Sequence, residues 1–274
     1  MNEMDEVPLH QGRAMQVEMR TSADPVNVWN AWADPGRISQ WFADRAEGWA
    51  HKGAEVTWMF DEFGYRIPYH VVESIPGECV MLGGQIPGRP PFLLEVSIRR
   101  EGGETVVTLV NSGFLEGGSF DEEYEGVLSG WTLALAMLKY YVEEHYGESK
   151  ETIMVTREAD FDFDKLIAWH TEPELMNKWL TQSVDGELRE GEPYHFVLQN
   201  GTPVDGIVAK VSKRELANIW PEQSAFVELK GWTAGTRKIL AIRITCWNPE
   251  EGFMEHARNE TAAALERLAA AMGT

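Results

Sequence analysis

Residues 24–41, DPVNVWNAWADPGRISQW, and residues 162–179, DFDKLIAWHTEPELMNKW, lie 138 positions apart and decide how the chain is read. At that spacing Asp24 meets Asp162, Pro35 meets Pro173 and Trp41 meets Trp179. Working outward, residues 15–60 align with 153–198 without a gap, and Val17, Gly48 and Gly53 meet Val155, Gly186 and Gly191. Six identities in 46 positions are few, so the argument rests on their kind. Each proline follows an acidic residue between two helical patterns, where proline stops one helix and starts another. The glycines fall where a chain would turn into a strand. After them, Val56, Trp58 and Phe60 occupy alternate positions, as do Tyr194, Phe196 and Leu198. A period of two with one apolar face marks a half-buried strand. Two copies of one domain follow, over residues 14–146 and 151–273, joined by the short linker His145–Glu151.

Within the first copy the pattern predicts a strand at 14–22, a helix at 25–33 capped by Asp24 or Ser22, and a short helix at 35–41. Strands are predicted near 54–61, 66–75, 78–84, 92–100 and 104–113, then a long helix over 120–144. Leu128, Trp131, Leu135, Leu138 and Val142 form its apolar stripe. The second copy repeats this order, with a strand at 151–157, helices at 162–170 and 173–180, strands to about 247 and a last helix at 254–272. Strand, helix pair, antiparallel sheet and long C-terminal helix describe an α+β domain in which a curved sheet wraps one helix. A cavity between that helix and the concave face is the natural consequence.

Composition excludes several functions. The chain carries 44 acidic and 24 basic residues, a net charge of −20, which repels phosphate backbones and anionic bilayers. Neither nucleic acid nor a membrane surface is therefore expected as a partner. No run of 18 apolar residues occurs, and Glu3, Asp5, Glu6 and Glu18 rule out a secretory leader at the N-terminus, so a cytoplasmic protein is expected. Cys79 and Cys246 sit in apolar runs and read as buried strand thiols. Phosphate loops, dinucleotide fingerprints, nucleophile elbows and metal-ligand spacings are all missing, so no cofactor and no metal are expected. His170 and Glu174 are four apart, but Pro173 breaks the helix they would share. His195 falls on an outward face.

Val28-Trp29-Asn30-Ala31-Trp32-Ala33-Asp34-Pro35, followed by Trp41, Gly48, Gly53 and the later Gly130-Trp131, resembles the family of the C-terminal domain of the heat-shock protein 90 ATPase activator. That family lies within the START-like, or SRPBCC, superfamily typified by birch-pollen allergen. The resemblance implies two tandem helix-grip domains and covers nearly all of residues 14–146. The second copy has His170 where the first has Trp32, and Thr261 with an alanine-rich run where Gly-Trp would stand. Its cavity is accordingly expected to be smaller, filled or absent.

Parity and helical spacing place Trp58, Phe60, Tyr69, Phe92, Leu94, Trp131 and Leu135 around a first-domain pocket. Tyr69 shares parity with Ile67 and Val71 and should face inward, whereas Arg66 and His70 should face solvent; Glu95 is a further polar candidate. Loops at 61–66 and 114–120, holding Gly64, Gly117 and Gly118, would gate the pocket. The reading favoured is non-catalytic binding of a hydrophobic small molecule, lipid-, polyketide- or flavonoid-like, by a monomer or weak dimer. Two alternatives stay open. One is a polyketide cyclase, aromatase or hydratase, which requires an inward acid or base. The other is an interaction or co-chaperone module, for which Trp29, Trp49 and Trp232 would form an exposed patch.

Overall fold

The computed structural model describes residues 12–61, 64–85 and 91–273. The chain divides between Gly147 and Glu148 into two units of like topology. In the first, strand β1 (Arg13–Thr21) leads to helices α1 (Pro25–Ala33) and α2 (Pro35–Ile38). Strands β2 (Arg45–Glu47), β3 (Glu55–Phe60), β4 (Tyr65–Ile75), β5 (Cys79–Gly84), β6 (Phe92–Glu101) and β7 (Glu104–Phe114) follow, then the long helix α3 (Ser119–Glu144). The second unit runs β8 (Lys150–Glu158), α4 (Phe163–Thr171), α5 (Pro173–Met176) and β9 (Thr181–Gly186). It continues with β10 (Pro193–Leu198), β11 (Pro203–Val211), β12 (Leu216–Trp220), β13 (Ala225–Ala234), β14 (Arg237–Trp247) and α6 (Phe253–Met272). Each sheet has seven antiparallel strands, ordered β1-β7-β6-β5-β4-β3-β2 and β8-β14-β13-β12-β11-β10-β9. The long helices α3 and α6 pack along β1 and β8. This is the tandem helix-grip α+β architecture.

The residues shared by the two copies are the ones that shape the backbone. Asp24 caps α1 by accepting a hydrogen bond from Val26 N at 2.8 Å, and Asp162 caps α4 through Asp164 N at 3.0 Å. Pro35 and Pro173 begin α2 and α5, where a missing N–H costs nothing. The Trp41 and Trp179 indoles donate to Ala31 O and Trp169 O at 2.8 and 2.9 Å, tying each short helix back onto the one before it. Gly48 and Gly186 have φ of +81° and +104°, a region closed to most side chains. Removal of one cap is testable. Asp24→Ala should lower stability by about 1 kcal/mol in urea titration, and a loss below about 0.3 kcal/mol would show the cap to be dispensable.

Strand register lays corresponding rows across the two concave faces. Gly53 N donates to Val71 O, and Gly191 N to Val208 O, both at 2.8 Å, so Val71 and Val208 occupy the same place. From Val71 the first row runs through Leu82, Leu94, Asn111 and Met15. From Val208 the second runs through Asn218, Val227, Ile244 and Ile153. All ten side chains are buried.

Several details depart from the sequence reading. The short helices α2 and α5 stop after four residues each. The edge strand β2 was not anticipated; it has three residues, too few for alternation to register. Cys79 is half-buried at the start of its strand, whereas Cys246 is buried. The acidic residues at positions 3, 5 and 6 lie outside the described residues.

Candidate functional site

The first-domain residues singled out by parity do share one interior layer. Trp58 and Tyr69 rings lie 4.7 Å apart, and Tyr69 meets Phe92 edge-on at 5.8 Å. Phe42 joins this layer, stacked on Trp131 at 5.3 Å and edge-on to Trp58 and Phe60 at 5.6 and 5.4 Å. Trp32 closes it, 6.0 Å from Trp131. Leu94 and Leu135 are buried on β6 and α3. Rings at these separations are in packing contact with one another. The one interior polar side chain in the row, Asn111, is satisfied: its Oδ1 accepts from Trp131 Nε1 at 3.1 Å and its Nδ2 donates to Leu93 O at 3.2 Å. Sequence periodicity missed Phe42 because it follows α2 in a turn, where no repeat marks an inward position.

In the second domain the same space is open. Between α6 and the concave face lies about 870 Å³ of empty space, part of it open to solvent, of which about 120 Å³ can hold the centres of water-sized molecules. The smaller side chains explain it. Leu180 stands where the first domain has Phe42, and Leu198 where it has Phe60. Against the aromatic Trp131 of α3, helix α6 offers Ala257, Thr261 and Ala264. The sheet wall is Phe196, Val227, Leu229, Ile242 and Ile244, all buried. The expectation of a filled or absent second cavity is thus corrected: replacing rings by methyls under a fixed backbone leaves volume that the sheet cannot collapse to fill.

Residues 22–143 match the family model described as activator of Hsp90 ATPase homolog 1-like protein. The first domain belongs to that family. No curated protein sequence matches the chain. Among solved structures, the Aha1 dimer from Colwellia psychrerythraea is 17% identical, over 49% of this chain and 99% of that one, with a TM-score of 0.44. DynU16, from the dynemicin biosynthetic locus, is 18% identical over 95% and 98% of the two chains, with a TM-score of 0.44. The di-domain ARO/CYC protein BexL, from the BE-7585A biosynthetic pathway, is 11% identical over 95% and 94%, with a TM-score of 0.46.

In the activator-homologue-like domain, Arg66 and His70 are exposed as parity requires, and Tyr69 is buried. Burial pushes the Tyr69 phenol well above its ordinary range, so it stays protonated at neutral pH and cannot act as a base there. Glu95 is half-buried and accepts from Ser97 Oγ at 3.0 Å. His195, in the second domain, is exposed and paired with Asp205 at 2.8 Å. Of the tryptophans considered for a contact patch, Trp49 is exposed, whereas Trp29 and Trp232 are half-buried and the Trp29 indole donates to Cys79 O. The gating loop at 61–66 includes residues 62 and 63, which lie outside the described residues. Among the described residues no group of three His, Cys, Asp or Glu side chains is placed to hold a metal ion, and no helix is long and apolar enough to cross a membrane.

The polar groups on the second-domain cavity fall into three sets, one of them Gln199, Asn200 and Thr202 at the β10–β11 turn. His256, Glu260, Thr261 and Arg267 come from α6, and the Arg267 Nε already donates to Trp179 O at 2.7 Å. Asn218 and Gln223 come from the sheet side, and Asn218 Oδ1 and Gln223 Oε1 are buried without a hydrogen-bond partner. Tyr194 and Trp220 satisfy each other, indole N–H to phenol at 2.9 Å. The arrangement is an apolar chamber with a small number of placed polar atoms, the usual chemistry of small-molecule recognition.

Proposed function

We propose that the protein binds a compact hydrophobic small molecule in the cavity of its second domain and releases it chemically unchanged. The observation that carries this reading is the open space between α6 and an apolar sheet face. Part of the 870 Å³ is open to solvent, so the enclosed space is a fraction of it and takes a compact ligand. That suits a two- or three-ring compound better than a sterol or a long acyl chain. Burying about 300 Å² of apolar ligand surface supplies on the order of 7 kcal/mol before ordering costs.

Native mass spectrometry against the denatured mass tests the reading. A panel of naphthols, flavonoids and medium-chain fatty acids should give a discrete adduct with the ring compounds, released on denaturation at the mass supplied. Ala264→Trp, which puts an indole into the chamber from α6, should abolish that adduct while leaving the unfolding temperature unchanged or higher. A bare mass with every compound, or an adduct that survives Ala264→Trp, counts against the second-domain site. An adduct of altered mass would convert the reading from binding to turnover.

A further inference from the structure

Asn218 is an anomaly in its strand. It sits mid-way along β12 in the row Val208, Asn218, Val227, Ile244 and Ile153, with an aliphatic side chain at every other place. It is 2% exposed, lines the cavity, and its Oδ1 has no hydrogen-bond partner. The corresponding place in the first domain holds Leu82, 1% exposed, so the fold itself asks for an aliphatic residue here. The first domain's own interior amide, Asn111, is fully engaged by Trp131 and Leu93 O. The contrast is specific. A buried amide left unpaired is unfavourable, and an aliphatic side chain of similar volume would remove that cost.

We propose that Asn218 selects the ligand: it makes the cavity specific for compact ring compounds that carry a hydroxyl group, whose O–H donates to the Asn218 Oδ1. The proposal rests on the reading of this cavity as a binding site and adds to it the chemistry of what is bound. An amide offers one acceptor and one donor end, and a hydroxyl is the smallest ligand group that can serve either. Gln223 Oε1, also buried and unpartnered on the same cavity, offers a second acceptor for a ligand bearing two such groups. The selectivity arises from pairing. Beside an apolar ligand the Asn218 Oδ1 stays unpaired, whereas a ligand hydroxyl supplies the donor it lacks.

The test uses the full chain and an isosteric pair of probes, 2-naphthol and 2-methylnaphthalene, titrated by quenching of tryptophan fluorescence, since Trp220 lines the cavity. Wild-type protein should bind 2-naphthol roughly tenfold more tightly than 2-methylnaphthalene, the ratio expected of one buried hydrogen bond. In Asn218→Leu the ratio should fall to one or below, through weaker naphthol binding and equal or tighter binding of the methyl compound, with no loss in unfolding temperature. Asn218→Ala should lose the preference in the same way, and serves if the leucine variant fails to fold. Equal affinities in the wild type, or a naphthol preference that survives both substitutions, would overturn the role of Asn218 while leaving the cavity a binding site. Binding of neither probe by the wild type would overturn the binding reading, and the selectivity with it.

Discussion

At pH 5 the second domain should be about 2 kcal/mol less stable than at pH 7.5, and His170→Phe should remove that difference. His170 stands in α4 where the first domain has Trp32, and it is 1% exposed. Neither ring nitrogen has a hydrogen-bond partner, and the ring meets Trp179 edge-on at 5.8 Å. Burial alone pushes its pKa down from 6.5 to about 3. In the unfolded chain the imidazole titrates near 6.5, so between about 6.5 and 3 the unfolded state takes a proton that the folded state refuses. Stability is therefore full above about pH 6.5 and declines as the pH falls, by about 1.4 kcal/mol per pH unit, approaching 5 kcal/mol near pH 3. Phenylalanine keeps the ring and has no nitrogen to leave unpaired, so the variant should equal or exceed the wild type even at pH 7.5. Urea titrations of both proteins across pH 4.5–8 measure the effect. Parallel slopes would show that another group sets the acid response.

The second large effect belongs to Glu228 on β13. Its Oε1 accepts from Lys230 Nζ at 3.1 Å and its Oε2 from Arg243 Nη1 at 3.2 Å, Arg243 being its partner across the strand pair. The carboxylate is 6% exposed, and the two cations 18% and 16%. Burial works to raise the Glu228 pKa, but the attraction and hydrogen bonds of Lys230 and Arg243 outweigh it and hold the carboxyl below its ordinary range. Glu228→Ala removes the buried carboxylate that Lys230 and Arg243 both bond and should lower stability by about 3 kcal/mol at pH 7. Glu228→Gln keeps the acceptor and should lose less. Because the folded pKa is depressed, the Glu228 contribution is present above about pH 4.5 and is lost as the pH falls through the folded value. Glu228 therefore adds no slope above about pH 4.5, and the decline between about pH 6.5 and 4.5 reports His170 without it. A loss under about 1 kcal/mol in Glu228→Ala would mean that the cations find solvent once released.

Much of the fold was legible because its signals are local. The helix at 25–33 was read with its observed limits, since Asp24, Pro25 and Pro35 act on the backbone within a turn of themselves. Alternation located the interior residues Trp58, Tyr69 and Leu94 in the same way. The site was less legible. Phe42 sits in a turn without periodicity, and His170 reads as polar while the structure buries it completely. Asn218 did carry a signal, an amide between apolar neighbours in Leu-Ala-Asn-Ile-Trp, sharing parity with Leu216 and Trp220. Nothing in that strand alone says that its carbonyl lacks a partner.

The six residues common to both copies of the repeat are caps, helix-starting prolines, a bridging tryptophan, positive-φ glycines and a strand valine, and they specify a backbone. They say nothing about what fills it. Whether the space between sheet and helix is solid or hollow depends on side chains far apart in the chain: Phe42 against Leu180, Phe60 against Leu198, and Trp131 against the small residues of α6. Empty volume is the difference between a space set by the backbone and the combined bulk of every side chain that points into it. Local patterns report each of those side chains singly, so the hollow domain was identified only when strands and helix were brought together.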